Sequence, residues 1–216
     1  MARIETYVRA ASPISGADKL IGTDSANNNE TKNFTIQEIS DFVGLGPYKV
    51  YTALLTQSGG DNPDNITSGN TVIGVTYQID GSIVGDDFRN IGGPLITYNN
   101  EFQDYFFVAT GTTPTNWTNG TSLNFNTGAP VVTVLNNTIG NIWFTYNGSG
   151  NYRVKSDGLF IQNKLFLTSY IINSLDSYSY SLDSIDNNNI RIRVGTTGSL
   201  ENDVLYNTPI EIRVYN

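Results

Sequence analysis

The chemistry this chain can perform must come from carboxylates, amides and hydroxyls, because none of its 216 residues is histidine or cysteine. The lack of histidine removes the commonest general base, the Ser–His and Cys–His nucleophile pairs, and the usual neutral nitrogen ligand for metals. Two carboxylates flanking a sugar could still cleave a glycosidic bond. The 20 acidic residues are scattered, however, and only Asp86 and Asp87 adjoin. In an extended strand neighbouring side chains point to opposite faces, so this pair suits turn capping or sheet-edge solubility better than joint catalysis. The chain is expected not to be an enzyme.

Asp61, Asn62, Asp64 and Asn65 crowd one short stretch, but an EF-hand spacing would need an oxygen ligand where Pro63 stands. Asp183, Asp186 and the asparagines at 187–189 form a second oxygen-rich stretch. Asp and Asn in both read as turn formers that bond their own backbone, and neither a metal nor a cofactor is expected. Gly195-Thr196-Thr197-Gly198 lacks the Gly-Lys-Ser/Thr of a phosphate loop and the dinucleotide fingerprint. Trp117, Tyr178 and Tyr180 are candidate saccharide contacts, because an aromatic face can carry a sugar ring. Aromatics at strand spacing more often serve packing.

The net charge of −8 and the absence of any Lys/Arg cluster disfavour binding to a phosphate backbone. Arg191 and Arg193 alternate with Ile190, Ile192 and Val194, the pattern of a strand with a wet outer face. No run approaches the 18 or so apolar residues of a membrane span, and the charges in Met1-Ala2-Arg3-Ile4-Glu5 oppose a secretion signal. Neither nucleic acid nor membrane is therefore an expected partner. The Asn-x-Ser/Thr triplets, Asn65-Ile66-Thr67 among them, then follow from composition and not from glycosylation.

The elements that must hold these residues are strands. With 21 Gly, 13 Tyr and 10 Phe beside abundant Asn, Thr and Ser, the composition points to short aromatic strands joined by turns. Strands are expected over 48–56, 71–79, 105–109, 131–135, 141–146, 164–172, 178–182, 190–194 and 210–215. The 105–109 run is apolar enough to be buried on both faces, and 110–129 reads as a long loop anchored by Trp117. Asn147-Gly148-Ser149-Gly150 is a hairpin signal, since Asn and Gly accept the positive φ of tight turns. The fold class expected is mainly β, an antiparallel β-sandwich-like body behind a short N-terminal strand–turn–helix attachment segment.

That segment occupies residues 1–47. A strand around Asp18-Lys19-Leu20-Ile21-Gly22-Thr23-Asp24 and one through Phe34 flank an Asn-rich turn. Thr35-Ile36-Gln37-Glu38 has the capping-box spacing of a helix start, and the helix ends by Gly44. Ile36, Ile39 and Val43 share one face of it. A helix this short is marginal alone in water, so its apolar face needs a partner. Leu20, Ile21, Phe34, Ile36, Ile39, Phe42 and Val43 are the candidate assembly interface.

The strings Ser12-Pro13-Ile14-Ser15-Gly16-Ala17-Asp18-Lys19-Leu20-Ile21-Gly22-Thr23-Asp24 and Thr31-Lys32-Asn33-Phe34-Thr35-Ile36-Gln37-Glu38-Ile39 resemble an N-terminal segment of virion structural proteins of tailed bacteriophages. Gly85-Asp86-Asp87-Phe88 through Trp117, and Tyr48 to Gly60 together with Pro130 to Ile142, resemble modules of the same proteins. The resemblance implies an appendage, tail fibre, head fibre or capsid decoration protein in the virion, bound to other virion proteins and homotrimeric. In the similar modules the segment like 48–60 runs almost directly into the one like 130–167. The implied organisation is a body of 48–60 plus 129–216 with 61–128 as a nested insertion. A second reading is a receptor-binding adhesin that attaches to a host surface saccharide.

Overall fold

The structure is a computed structural model that describes residues 19–24, 30–36, 39, 48–99, 105–169, 178–196 and 198–215. The chain divides into two compact units, Met1–Pro47 and Tyr48–Asn216. In the first, β1 (Lys19–Asp24) pairs antiparallel with β2 (Glu30–Thr35), which sets Leu20 opposite Phe34 and Ile21 opposite Asn33. Ile36 and Ile39 have helical backbone. Phe42, Val43 and Glu38 of the expected capping box lie outside the described residues.

The second unit is mainly β and antiparallel throughout. It opens with β3 (Tyr48–Thr56), whose Tyr51, Ala53 and Leu55 are buried while the alternate residues are half-buried, as a period of two requires. Next come β4 (Pro63–Ile66), β5 (Thr76–Gly81), β6 (Tyr105–Val108) and β7 (Ser122–Asn126). These four make one sheet in the order β4-β7-β5-β6. The remaining strands are β8 (Val131–Asn137), β9 (Trp143–Gly148), β10 (Asn151–Lys155), β11 (Leu165–Ser169), β12 (Tyr178–Asp186), β13 (Asn189–Thr196), β14 (Ser199–Leu200) and β15 (Thr208–Tyr215).

They form two sheets. One runs β12-β13-β10-β9 with β14 beside β13; the other runs β11-β15-β3-β8. Residues 48–56 thus lie between β15 and β8, paired to the C-terminal half of the chain. Both sheets turn their apolar faces to one core that includes Tyr51, Leu55, Phe144, Tyr152, Val154, Ile190, Ile192, Phe160 and Ile212. This is a β-sandwich, and each fully buried aliphatic side chain contributes about 1.5–3 kcal/mol to it. The β4–β7 sheet has a separate core of Tyr77, Ile79, Phe88, Ile91, Phe107 and Leu123.

Several expected elements differ. The strand expected over 71–79 begins only at Thr76, because Gly74 takes a left-handed φ of +84° in a turn that leaves Val72 and Ile73 exposed. Gly74 also bridges the two parts: its N–H donates to the Ala109 carbonyl (2.8 Å) and its carbonyl accepts from the Val132 N–H (2.9 Å). A Cβ here would collide with the Val132 carbonyl, so only glycine fits. The 110–129 stretch is not all loop, since β7 lies within it. The 105–109 run is buried on one face only: Phe107 and Ala109 are in the core, Phe106 is half-buried and Tyr105 is exposed.

Candidate functional site

The acidic residues spend their lone pairs on the fold. Asp86 is fully buried, and its carboxylate accepts three backbone N–H groups: Thr118 (3.0 Å) and Asn119 (3.0 Å) at Oδ1, Thr121 (2.9 Å) at Oδ2. It braces the loop that carries Trp117. Asp87 takes a two-pronged contact from Arg89, Nε to Oδ1 at 3.0 Å and the terminal nitrogen to Oδ2 at 2.8 Å. Hydrogen bonding to that guanidinium lowers the Asp87 pKa below the usual carboxylate value. Two adjacent carboxylates thus serve two separate structural tasks, and neither faces the other's partner.

The oxygen-rich stretches behave alike. Asp183 accepts from Arg193 (3.0 Å) and Arg191 (3.3 Å) on the outer side of β13. Burial raises its pKa, but hydrogen bonds and charge from Arg193 and Arg191 win, and the net shift is downward. Asp186 accepts from the Asn189 side chain (2.9 Å) and the Asn188 N–H (2.7 Å), and these bonds lower its pKa. Asp61 accepts from Asn126 (2.6 Å), and Asp64 from the Asn65 N–H (2.8 Å). Among the described residues no group of three or more acids gathers in a way that could hold a metal ion. Among the same residues no helix is long and apolar enough to cross a membrane.

The three aromatics singled out as saccharide contacts do not share a surface. Trp117 packs on the core of the β4–β7 sheet, edge-on to Phe88 at 5.4 Å, and its indole N–H donates to the Thr121 carbonyl (2.7 Å). Tyr180 packs against the sandwich core from β12, and burial raises its pKa to about 12. Tyr178 stands two residues earlier on the same strand and is half-buried. Of the candidate assembly residues, Leu20 and Ile21 lie on β1, and Phe34, Ile36 and Ile39 are half-buried.

A different constellation appears where the β4–β7 sheet meets β9. Strand register sets Asn65 of β4 opposite Asn124 of β7, Asn124 opposite Gln78 of β5, and Gln78 opposite Phe106 of β6. Residues opposite each other on paired strands project to the same face, so three amides and one phenyl ring form a row across the whole sheet. Tyr77, Ile79, Phe107 and Leu123 occupy the other face and its core. The amide row lines a groove of about 610 Å³ together with the buried Thr76 and Phe144 and with Asp64, Thr145 and Tyr146.

Beside the groove Phe106 stacks on Trp143 with ring centroids 5.3 Å apart and planes 5° from parallel. The Asn141 side chain donates to the Phe106 carbonyl (2.8 Å), and the Phe144 N–H donates to the Thr76 hydroxyl (3.1 Å). Along the row the Asn65 side chain donates to Ser122 Oγ and to Asn124 Oδ1. That bond fixes the Asn124 amide, whose Nδ2 donates to no group among the described residues. The sequence carries half of this signal in the alternation Ser122-Leu123-Asn124-Phe125-Asn126 and Thr76-Tyr77-Gln78-Ile79. The other half is register between distant strands.

Compared with protein-family models, with curated proteins and with solved structures, this chain matches none.

Proposed function

We propose that this chain is a virion structural protein of a tailed phage, attached to the particle by its Met1–Pro47 unit and presenting the β unit outward. The particle part is a tail fibre, a head fibre or a capsid decoration. The observation that carries the reading is the division at Pro47: a β1–β2 hairpin with helical backbone at Ile36 and Ile39 on one side, a body with two apolar cores of its own on the other. A two-stranded hairpin is marginal in water unless something covers it. Half-buried Phe34, Ile36 and Ile39 supply the apolar surface for such a cover, and other virion proteins or equivalent copies of the chain in a homotrimer provide it.

The resemblance of residues 12–39 to phage attachment segments supports the same assignment. So does the use of the acids for bracing, since carboxylates engaged by Arg89, Arg191, Arg193 and backbone amides are poorly placed for acid–base catalysis. Purified particles viewed by electron cryo-microscopy test the reading: density fitting the β unit should recur at one class of site, joined to the particle by its N-terminal side. Particles lacking such density, with the protein confined to the host lysate, would overturn it.

A further inference from the structure

We propose that the groove between the β4–β7 sheet and β9 binds a neutral saccharide, with Asn65, Asn124 and Thr145 as polar contacts and Phe106 and Tyr146 as apolar ones. The volume of about 610 Å³ lies within the range of about 300–1,000 Å³ usual for small-ligand sites. The groove opens to solvent, so a bound ring can belong to a longer chain.

The lining matches the chemistry of a sugar. Each primary amide offers two N–H donors and a carbonyl acceptor, and each sugar hydroxyl donates once and accepts twice. Asn65 spends its N–H groups on Ser122 and Asn124 and keeps its Oδ1, while Asn124 keeps its Nδ2, so at strand spacing, about 4.7–4.9 Å, the pair presents an acceptor and a donor to a sugar's hydroxyls. The carbon-bound hydrogens of a pyranose present an apolar face that rests on aromatic rings. Phe106, held parallel to Trp143, and Tyr146, edge-on to Tyr152 at 5.9 Å, are both fixed by packing. Such contacts lose little side-chain entropy on binding.

Charge decides which saccharides. Among the described residues Asp64 is the one acid of the lining, and no Lys or Arg lines the groove. With a net charge of −8 over the chain, a uronic or sialic acid would be repelled. A neutral hexose or N-acetylhexosamine polymer meets no such penalty.

The bonds from Asn65 to Ser122 and Asn124 serve the fold, but they leave donors over. The β4–β7 sheet is closed by the apolar core on its opposite face, and Asn124 Nδ2 and the Thr145 hydroxyl find no bond among the described residues. The Asn65–Asn124 bond holds the first of these donors in place, which is preorganisation for a ligand.

The test uses the full chain and an array of neutral and anionic oligosaccharides, with affinities then measured calorimetrically on the strongest responders. The expected result is binding of neutral glycans only. Asn124→Leu and Thr145→Val should each weaken it by about tenfold, the loss of one or two hydrogen bonds, with cooperative unfolding retained. Phe106→Ala should abolish it. Because Phe106→Ala also removes the stack on Trp143, the two polar variants keep the test decisive if that variant unfolds. No neutral glycan bound, binding of anionic glycans instead, or binding unaffected by both Asn124→Leu and Thr145→Val would each overturn the proposal. Attachment to the particle is a separate property of residues 1–47, and its failure would leave these outcomes unchanged.

Discussion

Thr76 and Phe144 stand 68 residues apart in the chain, yet the Thr76 hydroxyl accepts a 3.1 Å hydrogen bond from the buried Phe144 N–H. That bond ties the first position of β5 to the edge strand β9 and sets how the β4–β7 sheet leans on the sandwich. The Phe106–Trp143 stack does the same from β6. Together they fix the spacing of the groove.

Thr76→Val keeps the shape and removes the acceptor. A buried N–H left without a partner costs about 1–3 kcal/mol, so the urea midpoint should fall by that equivalent with an unchanged slope. A variant as stable as the parent would mean that the bond does not hold the two parts together.

The nested organisation can be tested by excision. The carbonyl of Gly60 lies so close to Gly128 that a Cβ there would collide with it, and the Thr127 N–H donates to the Asn62 carbonyl (3.1 Å). The chain thus leaves the body and returns to it at nearly one point. Joining residue 60 to residue 129 should give a folded sandwich with a β-type circular dichroism spectrum and a cooperative, lower-temperature melt. A shortened chain without cooperative unfolding would show that 61–128 belongs to the body's own core.

Gln57 sits at the centre of a buried polar network. Its side-chain carbonyl accepts from the Tyr152 hydroxyl (2.6 Å) and the Asp203 N–H (2.8 Å), and its amide donates to the Gly59 carbonyl (2.7 Å). Gln57→Leu leaves the Asp203 N–H and the Gly59 carbonyl without these partners, while the Tyr152 hydroxyl keeps Asn202 Oδ1 at 3.2 Å, and a loss of about 1–3 kcal/mol is expected. Tyr152→Phe should cost less, because only one donor is removed and no donor is orphaned. Chemical denaturation of both variants checks the order.

Acid should weaken the fold through Asp87, Asp183 and Asp186, whose folded-state pKa values are all lowered. A carboxylate with a lowered folded pKa stabilises the protein fully above its unfolded value of about 3.9. That contribution disappears as pH falls from there through the folded value. Unfolding midpoints should therefore be flat above about pH 5 and drop below about pH 4. Asp183→Asn should shallow the drop, and its difference from the parent should vanish at the lowest pH. A difference that instead grew with acid would reverse the sign argued here.

What the sequence made legible was local. The Ile190, Ile192, Val194 alternation marks β13, and Asn147-Gly148-Ser149-Gly150 marks the β9–β10 hairpin, because each is written within a few neighbouring residues. Val72 and Ile73 mislead for the same reason: their side chains suit a strand, but Gly74 turns the backbone away from one. β7 hides among Thr and Asn because one of its faces is polar for the groove, which dilutes the apolar signal that period-two reading depends on. The amide row was legible only in the alternation within each strand, since Asn65, Gln78 and Asn124 meet through pairing between strands that are distant in sequence. Trp117 drew attention as a large aromatic, yet its ring serves the Phe88 core.

The central claim, attachment through the N-terminal unit, is tested most directly by measuring how much of an Ile39→Asp variant enters phage particles. A charge placed beside half-buried Phe34 and Ile36 should reduce the protein to background in purified virions, while the isolated variant keeps the melting curve of the β unit. Incorporation at the level of the parent chain would contradict the account.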